Sequence, residues 1–448
     1  MIYNILDYGA VEGGKVNNQK MIQAAIDACA GTGGKVVVPA GNYLSGTIRL
    51  RSDMELYLEA GSTLTVSLNP GDIIDFSEKS DKGNTMDGIA NGCFLYACHE
   101  KNLTISGEGK IDGKGRDVYY DAGLDGDFHE CPLSVEDFRP RTTYLEDVDG
   151  LTVKGITFYD ASFWTLHMAG CKNVLVDGIR IFNNDRGPNN DGIDPDACQN
   201  VVIRGCIVES GDDSIVLKAT KPIWEKYGSC ENVVISDCIL HSRDSALKMG
   251  TETYGDIRNV IFSNCVVRDC SRAVGIWVRD GGTIENILIH HITGNTKRYA
   301  DAPGGRGVPR WWGKGEPFFL SSTYRNEEKK YPGKIRNITF EQVRLSAESC
   351  IFMGGEEEAM IEDIQIKDCA ITWKKQSVHV PGVFDEQPSP RDIYGHEIPG
   401  LYARCVNGLK VSGSFKIEES MKAHISAKEI LENCKEAESN LSISGVEG

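Results

Sequence analysis

Three acidic segments of the sequence hold the residues best suited to acid–base chemistry. They read NNDGIDPD (Asn189 to Asp196), GDDS (Gly211 to Ser214) and RDSALKMGTE (Arg243 to Glu252). When carboxylates are held close together, their repulsion favours protonation of one of them, which leaves an acid beside an ionised base. Acetal hydrolysis needs such a pair, because one group protonates the leaving oxygen while the other activates water. Asp191, Asp212 and Asp213 are therefore predicted to be catalytic.

Acidic residues in loops also have simpler roles. They can form hydrogen-bonded Asx turns or bind calcium, and we expect a turn or calcium role for Asp194 and Asp196, which flank Pro195. The chain has no CxxC pair, so a zinc site is not expected. We predict no resident metal and no cofactor.

A short repeated pattern indicates how these segments are positioned. Each copy has a polar residue, often Asn, followed by alternating aliphatic residues and a turn, and several successive copies lie about 23 to 32 residues apart. The copies are KNLTISG from Lys101, DGLTVKG from Asp149, KNVLVDG from Lys172, QNVVIRGC from Gln199, ENVVISDC from Glu231, RNVIFSNC from Arg258, ENILIHH from Glu285, RNITFEQ from Arg336, EDIQIKDC from Glu362 and NGLKVSG from Asn407.

The repeat predicts an all-β fold, a parallel β-helix in which one chain winds as a solenoid. Short half-buried strands cannot each form a core alone, but stacked coils share one. Asp191 lies about one coil before Asp212 and Asp213, so the three should emerge close together on one face. The same stacking predicts an internal ladder of four repeated cysteines, namely Cys206, Cys238, Cys265 and Cys369.

The ends and gaps of the repeat suggest how a single domain spanning residues 1–448 is organised. Residues 1–50 form the N-terminal cap and first coil, with a helix that begins after Asn17 or Asn18, ends at Gly31 to Gly34, and covers the open end of the solenoid. Residues 297–335 and 375–406 break the spacing and are predicted to be long loops that leave the coil and border the cleft.

The first of these loops contains RGVPRWWGKGEPFF (Arg306 to Phe319). Trp311 and Trp312 could offer a flat apolar surface to a sugar ring, while Lys314 and Glu316 could hydrogen-bond to hydroxyl groups. The simpler alternative is that a tryptophan packs the loop onto the coil. We count all four residues among the predicted substrate-binding groups.

Composition limits the partners and the compartment. The formal net charge of −17 disfavours binding to nucleic acid and to anionic membranes, and no apolar run approaches the ~20 residues of a membrane span. The chain starts without a basic, then apolar, leader, and its fifteen cysteines suit reduced core positions better than a small disulfide framework. We expect a cytoplasmic protein that binds neither nucleic acid nor membranes.

At these motifs the sequence resembles glycoside hydrolase family 28, the polygalacturonases and their relatives. The resemblance rests on NILDYGAVEGG, VVVPAGNYLSGTIRLRS, FWTLHMAGCKNV, NNDGIDPDACQNV and SGDDSIVLKA. It implies a right-handed parallel β-helix and an inverting mechanism. It also implies that Asp212 is the general acid, that Asp191 and Asp213 hold and activate water, and that Asn189 binds substrate. Inversion would suit carboxyl groups about 6.5–9.5 Å apart.

Two departures from the family pattern concern specificity. Gly-His-Gly is replaced by Asp244–Ser245–Ala246, so the expected histidine is absent. Arg-x-Lys, a clamp for uronate carboxylates, is replaced by Trp277–Val278–Arg279, which leaves one cation and adds an indole that could stack on a sugar. Lys248 lies near the site segment and is included among the substrate-binding residues, although strand alternation points it away from Ser245.

The sequence thus predicts an inverting glycosidase that acts on pectin-type oligosaccharides containing galacturonate or rhamnose, with exo action. One alternative is a polysaccharide lyase or an epimerase on the same solenoid, which needs a base to abstract the C5 proton. Another is a carbohydrate-binding β-helix without activity. The retained aspartates favour the glycosidase.

Overall fold

The computed structural model describes residues 1–74, 92–122, 132–299, 312–326, 328–387, 389–391 and 393–444. Its strands are stacked in long parallel sheets, and the fold is the predicted right-handed parallel β-helix. The chain divides into two compact units. Unit 1 comprises Met1–Ala122, Leu133–Gly211 and Thr220–Gly228, and unit 2 includes Asp212–Ala219 and the chain from Ser229 onward. The prediction of a single domain stays a prediction.

Unit 1 contains twenty strands and both α-helices of the described chain. The strands are β1 (Ile2–Asn4), β2 (Gly34–Val38), β3 (Gly41–Ser45), β4 (Ile48–Arg49), β5 (Met54–Leu58), β6 (Ser62–Val66), β7 (Cys93–Cys98), β8 (Lys101–Gly107), β9 (Lys110–Asp112), β10 (Tyr119–Tyr120), β11 (Ser134–Val135), β12 (Arg141–Glu146), β13 (Asp149–Lys154), β14 (Thr157–Tyr159), β15 (Leu166–Ala169), β16 (Lys172–Asp177), β17 (Arg180–Phe182), β18 (Ile193–Asp196), β19 (Gln199–Arg204) and β20 (Ile207–Ser210). The helices are α1 (Gln19–Cys29) and α2 (Lys221–Tyr227). Short 3-10 helices occur at Ile5–Tyr8, Pro70–Asp72 and Gly115–Asp117.

Unit 2 contains the remaining strands and a 3-10 helix at Glu419–His424. The strands are β21 (Ile215–Ala219), β22 (Cys230–Ser236), β23 (Ile239–Ser242), β24 (Ser245–Thr253), β25 (Ile257–Ser263), β26 (Val266–Cys270), β27 (Arg272–Val278), β28 (Thr283–His290), β29 (Thr293–Thr296), β30 (Glu316–Ser322), β31 (Lys334–Glu341), β32 (Arg344–Ala347), β33 (Ile351–Gly354), β34 (Ile361–Trp373), β35 (Ile398–Arg404), β36 (Val406–Ile417), β37 (Ile425–Glu432), β38 (Lys435–Ser439) and β39 (Ser442–Ser444).

All ten copies of the repeat form strands, and within each unit they stack in register. In unit 2 the first residues of successive copies pair as Glu231 with Arg258 and Arg258 with Glu285. The asparagine that follows the first residue adopts a left-handed backbone, with φ of 60° at Asn232 and 56° at Asn259. Asparagine tolerates this conformation better than most residues, and its side chain bonds to the preceding coil, with Asn259 Nδ2 donating to Asn232 Oδ1 at 3.0 Å.

A second set of strands was not apparent in the repeat, because it lacks alternation. β15, β18, β21, β27, β30, β33 and β35 are buried at every residue. Consequently, the prediction that 297–335 and 375–406 are entirely loops is wrong. β30 lies in the first range and pairs with β27 and β33, while β35 lies in the second and pairs with β33 and β37.

The predicted N-terminal helix is present as α1. Ile22, Ala25, Ile26 and Cys29 are buried on one face, and the helix contacts strands β1, β2 and β4. Asn17 Oδ1 accepts a hydrogen bond from the backbone nitrogen of Gln19 at the helix start. The closure of the solenoid end by α1 stays a prediction.

The predicted cysteine ladder is interrupted in unit 2. The register of β23, β26, β29, β32 and β34 places Ile292 and Val343 between Cys265 and Cys369. Cys238 and Cys265 are direct neighbours, with the backbone nitrogen of Cys238 donating to Cys265 Sγ at 3.3 Å. Aliphatic side chains fill the same buried position as the thiols, so the shared property of this column is apolar packing. Within the described ranges, no helix is long and apolar enough to cross a membrane.

Candidate active site

The segment NNDGIDPD lies in unit 1 and leads into β18. Asn189 has a left-handed backbone with φ of 55°, and its Oδ1 accepts a hydrogen bond from Arg139 Nη2 at 2.8 Å. Asn190 anchors the loop, because its Oδ1 accepts from the backbone nitrogen of Gly211 at 2.8 Å. Asp191 is buried, and its backbone oxygen accepts from the backbone nitrogen of Thr165. The predicted substrate and catalytic residues of this segment therefore lie in a well-braced loop.

The interpretation of Asp194 and Asp196 as turn residues is wrong. Both belong to strand β18 and are fully buried. Asp196 accepts hydrogen bonds from the backbone nitrogen and the hydroxyl of Thr220, at 2.9 and 2.6 Å. Its carboxylate thus supports the turn that leads into α2.

Asp212 and Asp213 lie in unit 2, immediately before β21. The backbone nitrogen of Asp213 donates to Asp212 Oδ1 at 3.0 Å, and Ser242 Oγ donates to the Asp212 carbonyl at 2.6 Å. Asp213 is buried and Asp212 is half-buried. Oxygens of the two carboxylates lie within 4.8 Å of each other.

Lys248 reaches this aspartate pair from strand β24. Its Nζ donates to Asp213 Oδ2 at 2.8 Å and lies 3.4 Å from Asp244 Oδ2. The side chain is 12% exposed. Burial opposes the charged form, but Asp213, Asp244 and Asp212 together raise the pKa of Lys248 well above its ordinary value. Lys248 is therefore a cation at the predicted site, paired with a predicted catalytic carboxylate.

A buried arginine continues this line of charges. Arg272 Nη1 donates to Asp244 Oδ1 at 2.6 Å, and Arg272 Nη2 donates to the Gln387 carbonyl at 3.2 Å. Burial opposes ionisation of Asp244, but Lys248 and Arg272 lower the pKa of its carboxyl below the ordinary value. The Arg272 guanidinium also lies over the rings of Trp277 and Phe319, at 4.9 and 4.8 Å from their centroids.

The prediction that Trp277 stacks on a sugar is wrong, because its indole is fully buried. The ring packs against Phe319, with centroids 4.9 Å apart, and its centroid lies 5.3 Å from the Lys248 ammonium and 4.9 Å from the Arg272 guanidinium. Trp277 is therefore a buried aromatic contact of both cations.

The predicted sugar contacts of the following loop are also corrected. Lys314 is buried, donates through Nζ to the Trp312 carbonyl at 2.6 Å and lies 3.6 Å from Asp385. Glu316 is buried and accepts from the backbone nitrogen of Lys314 at 2.7 Å. Trp312 packs against Tyr299 and is buried too. These groups have partners inside the protein, while Trp311 lies outside the described residues.

Arg279 does not present an open clamp for a uronate. It is 7% exposed, and its Nη2 donates to the carbonyls of Tyr324 and Arg325 at 3.4 and 2.9 Å. Burial and the neighbouring Arg325 lower the pKa of Arg279 to about 10. The guanidinium thus holds the segment after β30, which corrects its predicted role in substrate binding.

Sequence reasoning missed the roles of Asp244 and Arg272. Arg272 opens β27, RAVGIWV, where it is the single charged residue of an otherwise apolar strand. A buried charge needs a partner of opposite charge, so an arginine in an apolar strand could have indicated a buried ion pair from the sequence. The register supplies the partner by aligning Arg272 with Ser245, next to Asp244.

A separate cavity of about 810 Å³ lies in unit 2. Arg391 and Arg404, from the predicted C-terminal loop, contribute to its lining together with Tyr324 and Glu358. Neither Asp212 nor Asp213 lines it.

Comparison with known proteins agrees with the fold. A Yersinia enterocolitica family 28 exopolygalacturonase superposes with a TM-score of 0.74 at 18% identity, covering 100% of this chain and 79% of that one. An exopolygalacturonase from Thermotoga maritima gives a TM-score of 0.59 at 23% identity, covering 83% and 87%. At these identities the similarity shows the fold alone.

Sequence relatives extend the comparison. A probable polygalacturonase from Vitis vinifera is 30% identical over 233 residues, which covers 50% of this chain and 45% of that protein. An exopolygalacturonase from Zea mays is 27% identical over 215 residues, covering 48% of each. The chain thus spans about half the length of the curated relatives it matches. The model of Glycosyl hydrolases family 28 matches residues 29–297, more than half of the chain, and the chain therefore belongs to this family.

Proposed function

We propose that this protein hydrolyses a glycosidic bond in a pectin-type oligosaccharide, with Asp212 as the general acid. Asp213 and Asp191 hold and activate the attacking water, and Asn189 binds substrate. The products have an inverted anomeric configuration. These roles follow from the resemblance of NNDGIDPD and GDDS to the family motifs.

The observation that carries the proposal is the different environment of two adjacent carboxylates. Asp213 is buried against the ammonium group of Lys248, which favours its ionised form and suits a base. Asp212 is half-buried, so its carboxyl is more accessible to a leaving oxygen. Two carboxyl groups with separate environments are the requirement for acid–base hydrolysis of an acetal.

The names of the relatives support the substrate class and the exo mode of action. Those from Vitis vinifera and Medicago sativa carry the names probable polygalacturonase and polygalacturonase, and one from Dickeya chrysanthemi is an exo-poly-alpha-D-galacturonosidase. We infer an oligosaccharide containing galacturonate or rhamnose, from which the enzyme removes terminal residues. The cytoplasmic location stays a prediction.

The test is incubation with a panel of pectic and neutral oligosaccharides, followed by chromatography and mass spectrometry of the products. Hydrolysis adds one water to the products, and exo action releases small terminal sugars before shorter internal fragments. An unsaturated product that absorbs in the ultraviolet would instead show elimination. Binding without turnover would show a carbohydrate-binding protein. Asp237→Asn, which alters an exposed aspartate, is the matched control for Asp212→Asn.

A further inference from the structure

We propose that Lys248 is a positioning residue that keeps Asp213 ionised and oriented toward the water. This inference rests on the proposed function and goes beyond it, because it gives Lys248 a task other than substrate binding. The sequence replaces the Gly-His-Gly pattern with Asp244–Ser245–Ala246, and the structure brings an ammonium group to the same region from further along β24.

The first argument is the geometry of the ammonium group. Lys248 Nζ donates to Asp213 Oδ2 at 2.8 Å, while the backbone nitrogen of Ser245 donates to Asp213 Oδ1 at 3.3 Å. Both oxygens of one carboxylate are therefore held by donors from β24. A charge-assisted bond at this distance orients the carboxylate as well as stabilising its charge.

The second argument is that Lys248 is itself held in place. Asp244 Oδ2 lies 3.4 Å from Nζ, and Asp244 Oδ1 accepts from Arg272 Nη1 at 2.6 Å. The Lys248 ammonium also lies 5.3 Å from the ring centroid of Trp277. A lysine between two carboxylates and an indole face loses little further freedom when it orients Asp213.

The third argument is the charge balance of the described surroundings. The charged groups that act on Lys248 include Asp212 and Asp213 from the loop before β21, Asp244 immediately before β24, and Glu252 from β24. Arg272 from β27 adds the second cation through Asp244. Without Lys248, Asp213 would lose the ammonium group that lies 2.8 Å from its Oδ2, and its protonation would become easier.

The same contacts argue against substrate binding by Lys248. Two of its three ammonium hydrogens face carboxylates of the protein, and the side chain is 12% exposed. To pair with a sugar carboxylate, the ammonium would have to leave Asp213 or Asp244. Its effect is therefore expected on the base, seen in kcat and in the pH profile.

The test compares Lys248→Met, which removes the charge, with Lys248→Arg, which retains it. Removing the cation makes Asp213 protonate at higher pH. The acidic limb of the pH profile of kcat/KM should therefore move to higher pH by about one unit or more, as expected when an opposite charge within ~4–6 Å is lost. The arginine variant should keep the limb near its wild-type position. Lys367→Met, which removes an exterior lysine 2.9 Å from Glu341, is the matched control and should leave the profile unchanged.

Three results would overturn the proposal. An unchanged acidic limb in an active Lys248→Met enzyme would mean that Lys248 is only structural, particularly if the melting temperature falls. A rise in KM confined to uronate substrates would mean that it binds substrate. If the acidic limb moves as far in Lys248→Arg as in Lys248→Met, the positive charge of Lys248 is not the property that acts on Asp213.

A measurement without substrate separates failure of this inference from failure of the proposed function. In protein labelled with 13C-aspartate, the Asp213 resonance is assigned by its loss in Asp213→Asn. Its titration midpoint should be higher in Lys248→Met than in the wild type, even if no pectic oligosaccharide is cleaved. Equal midpoints would refute the inference. Lys248→Gln, which keeps a polar end group, replaces the methionine variant if that variant does not fold.

Discussion

Arg272 and Asp244 form an ion pair inside unit 2, in which Nη1 of the arginine lies 2.6 Å from Oδ1 of the aspartate. Their side chains are only 2% and 4% exposed. Because the same aspartate lies 3.4 Å from Lys248, this pair connects the apolar interior to the predicted catalytic loop. Removal of either partner would leave a buried charge with fewer compensating contacts.

We expect Arg272→Met to lower the free energy of unfolding by about 3–5 kcal/mol, the usual cost of breaking a buried pair on one side. Denaturant unfolding measures the change. The matched control is Arg258→Met, which removes a more exposed pair with Glu231 and should cost no more than about 1 kcal/mol. The double variant Arg272→Met/Asp244→Leu also removes the carboxylate that Arg272→Met leaves without its arginine, so it should recover part of the lost stability. If the double variant is no more stable than Arg272→Met, the uncompensated charge is not the cause of the loss.

Asp212→Asn should abolish most turnover and leave the fold intact. The amide has the shape of the carboxyl but cannot protonate the leaving oxygen, and loss of a general acid costs about 10²–10⁴-fold in rate. Initial rates on the best oligosaccharide give the loss, and circular dichroism verifies the fold. Activity within about threefold of the wild type, less than 1 kcal/mol in barrier, would remove Asp212 from the acid role.

The first-formed sugar should have the inverted anomeric configuration. This expectation comes from the resemblance of NNDGIDPD and GDDS to the family motifs, which implies an inverting mechanism. Proton NMR during the first minutes of reaction identifies the anomer before mutarotation. A retained configuration would mean that an aspartate acts as a nucleophile, and the assigned roles would then have to change.

Arg279→Ala should reduce stability and affect neutral and uronate substrates alike. The buried guanidinium donates to the Tyr324 and Arg325 carbonyls, and losing a charged hydrogen bond typically costs about 1.5–3 kcal/mol. Thermal unfolding and kcat/KM on matched acidic and neutral oligosaccharides provide the two measurements. A loss confined to acidic substrates would restore Arg279 as a uronate contact.

Acidification should loosen the attachment of α2 through Glu146. Burial opposes ionisation, but hydrogen bonds from Lys226 and Tyr227, both at 2.8 Å, lower the pKa of this carboxyl below its ordinary 4.5. A lowered folded-state pKa contributes stability that is present above about 4.5 and lost as pH falls through the folded value. Glu146→Gln should reduce the fall in melting temperature below pH 4.5. If the melting temperatures of the wild type and the variant fall equally steeply with pH, Glu146 is not a source of the acid sensitivity.

The sequence by itself determined the half of each coil that alternates. Strands such as KNLTISG and ENVVISDC have one face buried and one face exposed, and the exposed turn selects asparagine for its left-handed backbone. These local requirements recur with the coil and are therefore visible in a single chain. The paired aspartates Asp212 and Asp213 were visible for a similar reason, since their spacing to the preceding motif is that of one coil.

Only the tertiary structure decided what surrounds those aspartates. Strands such as β27 and β30 are buried on both faces, so their sequences have no alternation from which to predict their orientation. Trp277 looked like a sugar platform and is a buried support, while Lys248 lies against Asp213 because parallel register brings β24 beside the loop before β21. Which charges meet depends on contacts between residues far apart in sequence, and these contacts form only when the coils stack.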